Sequence, residues 1–188
     1  IHADVLTGGR GDDKFIGFAG ADNVHGGAGT DTLVLTATSA TFNAVSDGNF
    51  TGIEIIDAST ASASTTISLA SQGENYSILG SIYADTITGG GGDDTIAGGQ
   101  GADELDGGSG ADTFSYLSTS ETGNLTASGS DRINDFVTGS DSIKGFGVAG
   151  SVNGEYRESV VSTQAASYEL ALTEANTLFA SSNGLSYY

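Results

Sequence analysis

A nine-residue period dominates this chain. Residues 8–34 read GGRGDDKFI, GFAGADNVH and GGAGTDTLV, and residues 80–115 read GSIYADTIT, GGGGDDTIA, GGQGADELD and GGSGADTFS. Residues 3–7, ADVLT, are the tail of one more unit. The shared pattern is G-G-x-G-x-D-x-U-x, with U a large apolar residue. The sixth position is Asp in every unit: Asp4, Asp13, Asp22, Asp31, Asp85, Asp94, Asp103 and Asp112. The eighth is apolar in every unit: Leu6, Phe15, Val24, Leu33, Ile87, Ile96, Leu105 and Phe114. A flexible Gly/Ser-rich linker would hold neither position constant.

This spacing predicts a stack of short strands. Gly accepts positive φ without steric cost, so the six Gly/Asp-rich residues form a turn. The x-U-x remainder forms a short strand with U pointing to one side. Strand, turn, strand and turn make one 18-residue coil, and coils stack about 4.8 Å apart into two parallel sheets around the U side chains. Residues 18 apart then share an edge: Asp4 with Asp22, Asp13 with Asp31, Asp85 with Asp103, and Asp94 with Asp112. Two carboxylates about 5 Å apart repel by roughly 1 kcal/mol in water and by several times that near a protein surface. No Lys or Arg in residues 80–115 offsets this, and the chain carries 24 Asp+Glu against 5 Lys+Arg, a net charge of -19. A divalent cation between stacked carboxylates reverses the sign of the interaction. Carboxylate and carbonyl oxygens without a His or Cys cluster select calcium over zinc or copper.

Composition narrows the field further. Cys, Pro, Met and Trp are absent, so disulfides, thiolate metal sites and Cys nucleophiles are excluded. The acidic surplus argues against nucleic acid and anionic membranes as partners. No apolar run approaches the ~20 residues of a membrane span. Without an initiator Met or signal-peptide pattern, the sequence reads as a piece of a longer chain. The 30 Gly do not follow a three-residue period, which excludes collagen.

The nonapeptides resemble the RTX (repeats-in-toxin) units of proteins secreted by the type I pathway of Gram-negative bacteria. The resemblance implies a right-handed, calcium-bound parallel β-roll. In that family each ion takes the sixth side chain and the second and fourth carbonyls of one turn. The turn one coil later supplies its sixth side chain and its first and third carbonyls. Carried over, Gly9, Gly11 and Asp13 would bind with Gly26, Ala28 and Asp31, and His2 and Asp4 with Gly17, Ala19 and Asp22. In the second block, Ser81, Tyr83 and Asp85 would bind with Gly98, Gln100 and Asp103. Gly90, Gly92 and Asp94 would bind with Gly107, Ser109 and Asp112. With the end of the stack included, this implies about four to six calcium ions.

Departures from the pattern carry their own expectations. Ser81 and Tyr83 replace glycines the family prefers, which predicts a distorted turn and a weaker ion. Asp12 and Asp93 hold the fifth position, which in the family usually faces solvent. The residue 18 after Asp22 is Ala40, which leaves that edge without a partner, and the residue 18 after Asp103 is Glu121, a candidate substitute. Residues 129–146, GSDRINDFVTGSDSIKGF, resemble the segment following the last nonapeptides in serralysin-type proteins. Ile133, Phe136 and Ile143 would close the core there. Either Asp131 or Asp135 would complete a site with Gly108, Gly110 and Asp112.

The chain therefore reads as one elongated all-β domain in four parts. Residues 1–35 and 80–115 are RTX blocks. Residues 36–79, with β-prone alternation at 50–57, 66–69 and 76–79, are wider coils without metal that join them. Residues 116–188 are a cap. Within it, Tyr168, Leu172, Ala175 and Phe179 share a helical face over residues 163–182, Asn183-Gly184 reads as a helix stop, and the last four residues as the start of a strand. Asp47-Gly-Asn49 lacks the Glu that an EF-hand loop requires.

Catalytic signatures are missing: there is no H-E-x-x-H, no G-x-S-x-G and no G-x-x-x-x-G-K-[ST]. The carboxylate pairs recur at the repeat period, as ion ligands do, so an enzyme is not expected. The reading is an extracellular, calcium-dependent structural module exported through type I machinery. Its Thr/Ser/Ala-rich interludes resemble surface-layer proteins, which implies calcium-promoted lattice or homo-oligomer contacts at the cell surface. The alternatives are the non-catalytic C-terminal module of a secreted hydrolase and a segment of an adhesin.

Overall fold

The computed structural model describes residues 4–16, 18, 22–36, 46–116, 131–144 and 155–156. The chain order of strands is β1 (Val5–Arg10), β2 (Lys14–Ile16), β3 (Asn23–Ala28), β4 (Thr32–Val34), β5 (Phe50–Thr51), β6 (Ile55–Asp57), β7 (Thr66–Ser68) and β8 (Ser77–Leu79). It continues through β9 (Thr86–Gly90), β10 (Thr95–Ala97), β11 (Glu104–Gly108), β12 (Thr113–Ser115), β13 (Arg132–Ile133), β14 (Ser142–Lys144) and β15 (Glu155–Tyr156). The expected helix over 163–182 and the strand start after it lie outside the described residues, as do His2, Gly17, Ala19, Ala40 and Glu121.

The strands alternate between two sides of a stack. One side is an eight-stranded sheet in the order β15-β14-β12-β10-β8-β6-β4-β2. The other is split into a three-stranded sheet, β1-β3-β5, and a four-stranded sheet, β13-β11-β9-β7. Every pairing is parallel except that of β14 with β15. This is the parallel β-roll expected from the period. Within each block the register is the repeat itself: Phe15 lies beside Leu33, Leu6 beside Val24, Ile87 beside Leu105 and Ile96 beside Phe114. Most strands are the expected three residues. In β1, β3, β9 and β11 the strand runs on into the glycines of the next turn, for five or six residues.

The U side chains form two columns. Phe15, Leu33, Ile56, Ile78, Ile96, Phe114 and Ile143 are successive register neighbours along the long sheet. Opposite them run Leu6, Val24 and Phe50, then Ile67, Ile87, Leu105 and Ile133. Both columns belong to one continuous core, and Ile133, Phe136 and Ile143 pack against its end. Each fully buried Ile, Leu or Phe contributes about 1.5–3 kcal/mol of transfer free energy.

The described part of the connecting segment keeps the stack while abandoning its period. Val24 pairs with Phe50 and Leu33 with Ile56, so the coil-to-coil offset grows from 18 to 26 on one side and 23 on the other. Asp47–Asn49 forms a short 3-10 turn leading into β5.

Candidate metal centre: a ladder of aspartates

Each sixth-position Asp sits immediately before a strand whose register is set by the U residue two places later. The stack therefore brings the aspartates of successive coils together. In each block, the Oδ1 of the later Asp accepts a hydrogen bond from the backbone N–H of the earlier one. The distances are 3.0 Å for Asp22 on Asp4, 2.7 Å for Asp31 on Asp13, 2.8 Å for Asp103 on Asp85, and 2.9 Å for Asp112 on Asp94. One carboxylate oxygen is thus tied to the neighbouring coil.

In five of the aspartates the other oxygen has no such tie. Oδ2 of Asp13, Asp31, Asp94, Asp103 and Asp112 is buried with no hydrogen-bond partner. Leaving one buried polar atom unsatisfied costs about 1–3 kcal/mol, and more when it is charged. Burial accordingly pushes the Asp94 carboxyl up to about 7, against the lowering effect of the Tyr76 N–H and with the charges of Asp112 and Asp93 adding to the rise. Burial likewise lifts Asp103 to about 6, opposed by the Asp85 N–H and helped by the Asp85 charge. Asp112 is raised by burial too, opposed by the Asp94 N–H, with Asp141, Asp135 and Asp93 adding to the rise.

The first glycine of each unit explains where Oδ2 points. A Cβ built on Gly8, Gly26, Gly89, Gly98 or Gly107 would overlap Oδ2 of the Asp in its own unit. At Gly8, Gly80 and Gly89 the same space also borders the carbonyl oxygen of the first glycine one coil later, namely Gly26, Gly98 and Gly107. The repeat's glycines therefore divide their labour. Those at the second and fourth positions, Gly92 excepted, supply left-handed backbone, as at Gly27 (φ 113°) and Gly29 (φ 145°). The one at the first position leaves room for an oxygen-lined cradle.

A hard divalent cation fits this arrangement. The donors are carboxylate and carbonyl oxygens, the set calcium prefers. Among the described residues no three His, Asp or Glu side chains converge in one group, so the backbone carbonyls must complete any ligand set. His25 stands apart, its Nδ1 2.8 Å from Thr51 Oγ1. The family described as RTX calcium-binding nonapeptide repeat matches residues 2–33 and 79–114, in four copies. These blocks are RTX calcium-binding repeats. RTX repeats bind calcium, and the chain is a calcium-binding repeat module. A comparison with curated proteins returns no match. Among the described residues no helix is long and apolar enough to cross a membrane.

Not all RTX turns are alike. Asp85 differs from Asp94, Asp103 and Asp112 because both of its oxygens are satisfied, in part by its own turn. The Ser81 N–H donates to Asp85 Oδ2 at 2.6 Å, the Ser81 hydroxyl to Oδ1 at 3.1 Å, and the Thr65 hydroxyl to Oδ1 at 2.9 Å. Ser81 in place of glycine thus closes the turn on itself. Of the set His2, Asp4, Gly17, Ala19 and Asp22, only Asp4 and Asp22 are described. The fifth-position residues, though exposed, also bridge coils: Asp12 Oδ1 accepts the Thr30 N–H and Asp93 Oδ1 the Ala111 N–H, each at 2.8 Å.

The end of the stack requires a correction. Asp131 does not face Asp112 with Gly108 and Gly110; its Oδ1 accepts the Asp103 N–H at 3.0 Å. Asp141 is the residue that accepts the Asp112 N–H, also at 3.0 Å. Asp135 instead receives the N–H groups of Gly107 and Gly108, at 2.9 and 2.7 Å. The reason is register: Ile133 continues the Leu105 column and Ile143 the Phe114 column, and the acid two residues before each falls on the matching edge. The same rule places Glu54, Thr65 and Tyr76 in the sixth position of the connecting coil, before Ile56, Ile67 and Ile78. The signal was present in the sequence as an acid or hydroxyl two residues before an apolar one, but irregular turn lengths hid it.

Proposed function

We propose that the chain is a calcium-dependent structural module of a secreted protein, whose RTX blocks fold when ions enter the aspartate ladder. The observation that carries this reading is the set of five buried carboxylate oxygens without partners, each beside a glycine that leaves space for a ligand. In the cytosol, where calcium is scarce, the stacked charges oppose folding and favour an extended chain suited to type I export. Outside, millimolar calcium exceeds the ~10⁻⁴–10⁻³ M affinity of extracellular sites, and ion binding becomes folding free energy.

Gly9, Gly11 and Asp13 would hold one ion with Gly26, Ala28 and Asp31, and Gly90, Gly92 and Asp94 another with Gly107, Ser109 and Asp112. The pair Asp85 and Asp103, with Ser81, Tyr83, Gly98 and Gln100, would hold a weaker one, because Asp85 is satisfied without it. Asp4 and Asp22 mark a further site. Once the acidic edges are neutralised, copies of the chain repel one another less, which favours a surface-layer-like assembly; the alternatives are a hydrolase-borne and an adhesin-borne module.

The test is a calcium titration followed by circular dichroism and light scattering. Chelated chain should lose most of its β signal, and calcium should restore it and raise the scattering mass. A spectrum indifferent to chelator would refute coupled folding, and a strict monomer in saturating calcium would refute assembly.

A further inference from the structure

The stack does not stop offering ligands where the nonapeptides stop. Glu54 lies outside the repeats, yet it occupies a ladder position. Register puts Ile55 beside Thr32, so Glu54 is the coil-to-coil neighbour of Asp31. Its Oε2 accepts the Asp31 N–H at 2.8 Å, the same bond that Asp31 makes to Asp13. On the preceding strand, Thr51 pairs with His25, so Gly52 is the neighbour of Gly26, a first-position glycine. The space beside Gly26 is bordered by Asp31 Oδ2 and the Gly52 carbonyl oxygen. It thereby reproduces the pair of oxygens found at Gly8, Gly80 and Gly89. Gly52 is itself in the left-handed region, with φ 62°. Only Ile53 separates Gly52 from Glu54, where a nonapeptide has four residues between its first and sixth positions. The longer side chain of Glu compensates for the shortened turn.

The decisive observation is Asp31. It is 0 % exposed, and its Oδ2 has no partner. Asp31 also belongs to the ion proposed with Asp13, but its Oδ2 lies beside Gly26 with the Gly52 carbonyl of the next coil, and among the described residues no cation is paired with it. We infer that the junction between the first block and the connecting coil holds an additional calcium ion, bound by the carboxylates of Asp31 and Glu54 and the carbonyl of Gly52. This site would tie the calcium-dependent block to the apolar coil that follows it. The inference rests on the proposed calcium-driven folding.

The test is calcium stoichiometry on the full chain by equilibrium dialysis, with circular dichroism to verify folding. Glu54→Gln keeps an acceptor for the Asp31 N–H but removes the charge, and should lose one bound ion. Glu104→Gln removes an equal charge from an exposed strand position and should lose none. Asp112→Asn should lose an ion of the second block and serves as the internal standard. If Glu54→Gln does not fold in calcium, Glu54→Asp retains the charge with a shorter reach. It should keep every ion but bind one roughly tenfold more weakly. Full stoichiometry at unchanged affinity in the Glu54 variant, with an ion lost in Asp112→Asn, would overturn this inference alone. A wild-type chain that binds no calcium would overturn the function proposed above.

Discussion

The RTX blocks and the coil between them share one backbone path but are held together by different forces. In the second block each nine-residue unit buries one large apolar side chain and one Asp, from Asp85 with Ile87 to Asp112 with Phe114, whereas in the first block Asp4 is exposed and Asp13, Leu6 and Phe15 are half-buried. In the connecting coil, Phe50, Ile53, Ile56, Ala58, Ala61, Ile67, Leu69, Tyr76 and Ile78 are all buried, and Phe50 stacks on Tyr76 with ring centroids 6.2 Å apart. Its sixth positions on the second-block side are Thr65 and Tyr76, which support Asp85 and Asp94 through neutral N–H groups. A parallel stack can thus be closed by apolar burial or by ions. On the function proposed above, the coil facing the second block stands on apolar burial and neutral N–H groups, whereas the blocks, with a thinner core, draw on ions in the ladder.

That contrast is most sharply broken by disabling each region in turn. Replacing Asp94 and Asp112 together with Ala should remove one calcium ion and lower the stability of the loaded chain by about 3 kcal/mol or more. Ile78→Ala should cost about 2–5 kcal/mol through the cavity it leaves, with the ion count unchanged. Denaturation in calcium combined with stoichiometry separates the two. An Ile78 variant that loses ions, or an Asp pair that keeps them, would erase the distinction.

Acid should act on the blocks in opposite senses with and without calcium. Asp94 and Asp103 are raised to about 7 and about 6 in the folded chain, above the ordinary Asp value near 3.8. Their protonated forms are therefore favoured by folding. This contribution is fully present below pH 4 and is lost as pH rises through 6 to 7. For Asp94 alone it is of order 4 kcal/mol at most. The chelated chain should become more structured on acidification from pH 7.5 to 4.5, and the calcium-loaded chain should lose affinity over the same range. Parallel pH titrations with chelator and with calcium check both; a chelated chain that loses structure in acid contradicts the buried-charge account.

The smallest effects should come from the glycines. Gly89→Ala introduces a Cβ that meets Asp94 Oδ2 at ordinary backbone angles, and should destabilise the second block by about 1–3 kcal/mol and weaken an ion. Gly73→Ala, in the connecting coil, meets nothing within 4 Å and should shift stability by less than about 1 kcal/mol. Thermal melts of both variants in calcium would sharpen the comparison, and equal shifts would remove the steric role assigned to the first glycine.

The strict spacing of Asp and U made the parallel stack and its 18-residue register readable before any coordinates, because an invariant period leaves one way to align successive coils. The same spacing identified the aspartates that share an edge. Reading failed where the period failed. Glu54, Asp131 and Asp141 are separated from their ladder neighbours by 23, 28 and 29 residues, offsets that no repeat announces. Ser81 was legible as a departure from glycine, but its capture of both Asp85 oxygens was not, since that depends on where its N–H and hydroxyl point.

The amino-acid order alone therefore determined the coil, its two-sided core and the acidic edges, for these follow from strand alternation and the conformational freedom of glycine. Only the tertiary structure decided which oxygen of each carboxylate is tied and which is left over, and which irregular residues continue the ladder. Those depend on loops of unequal length returning to the same level of the stack, and that return is enforced by side chains packing in the shared core.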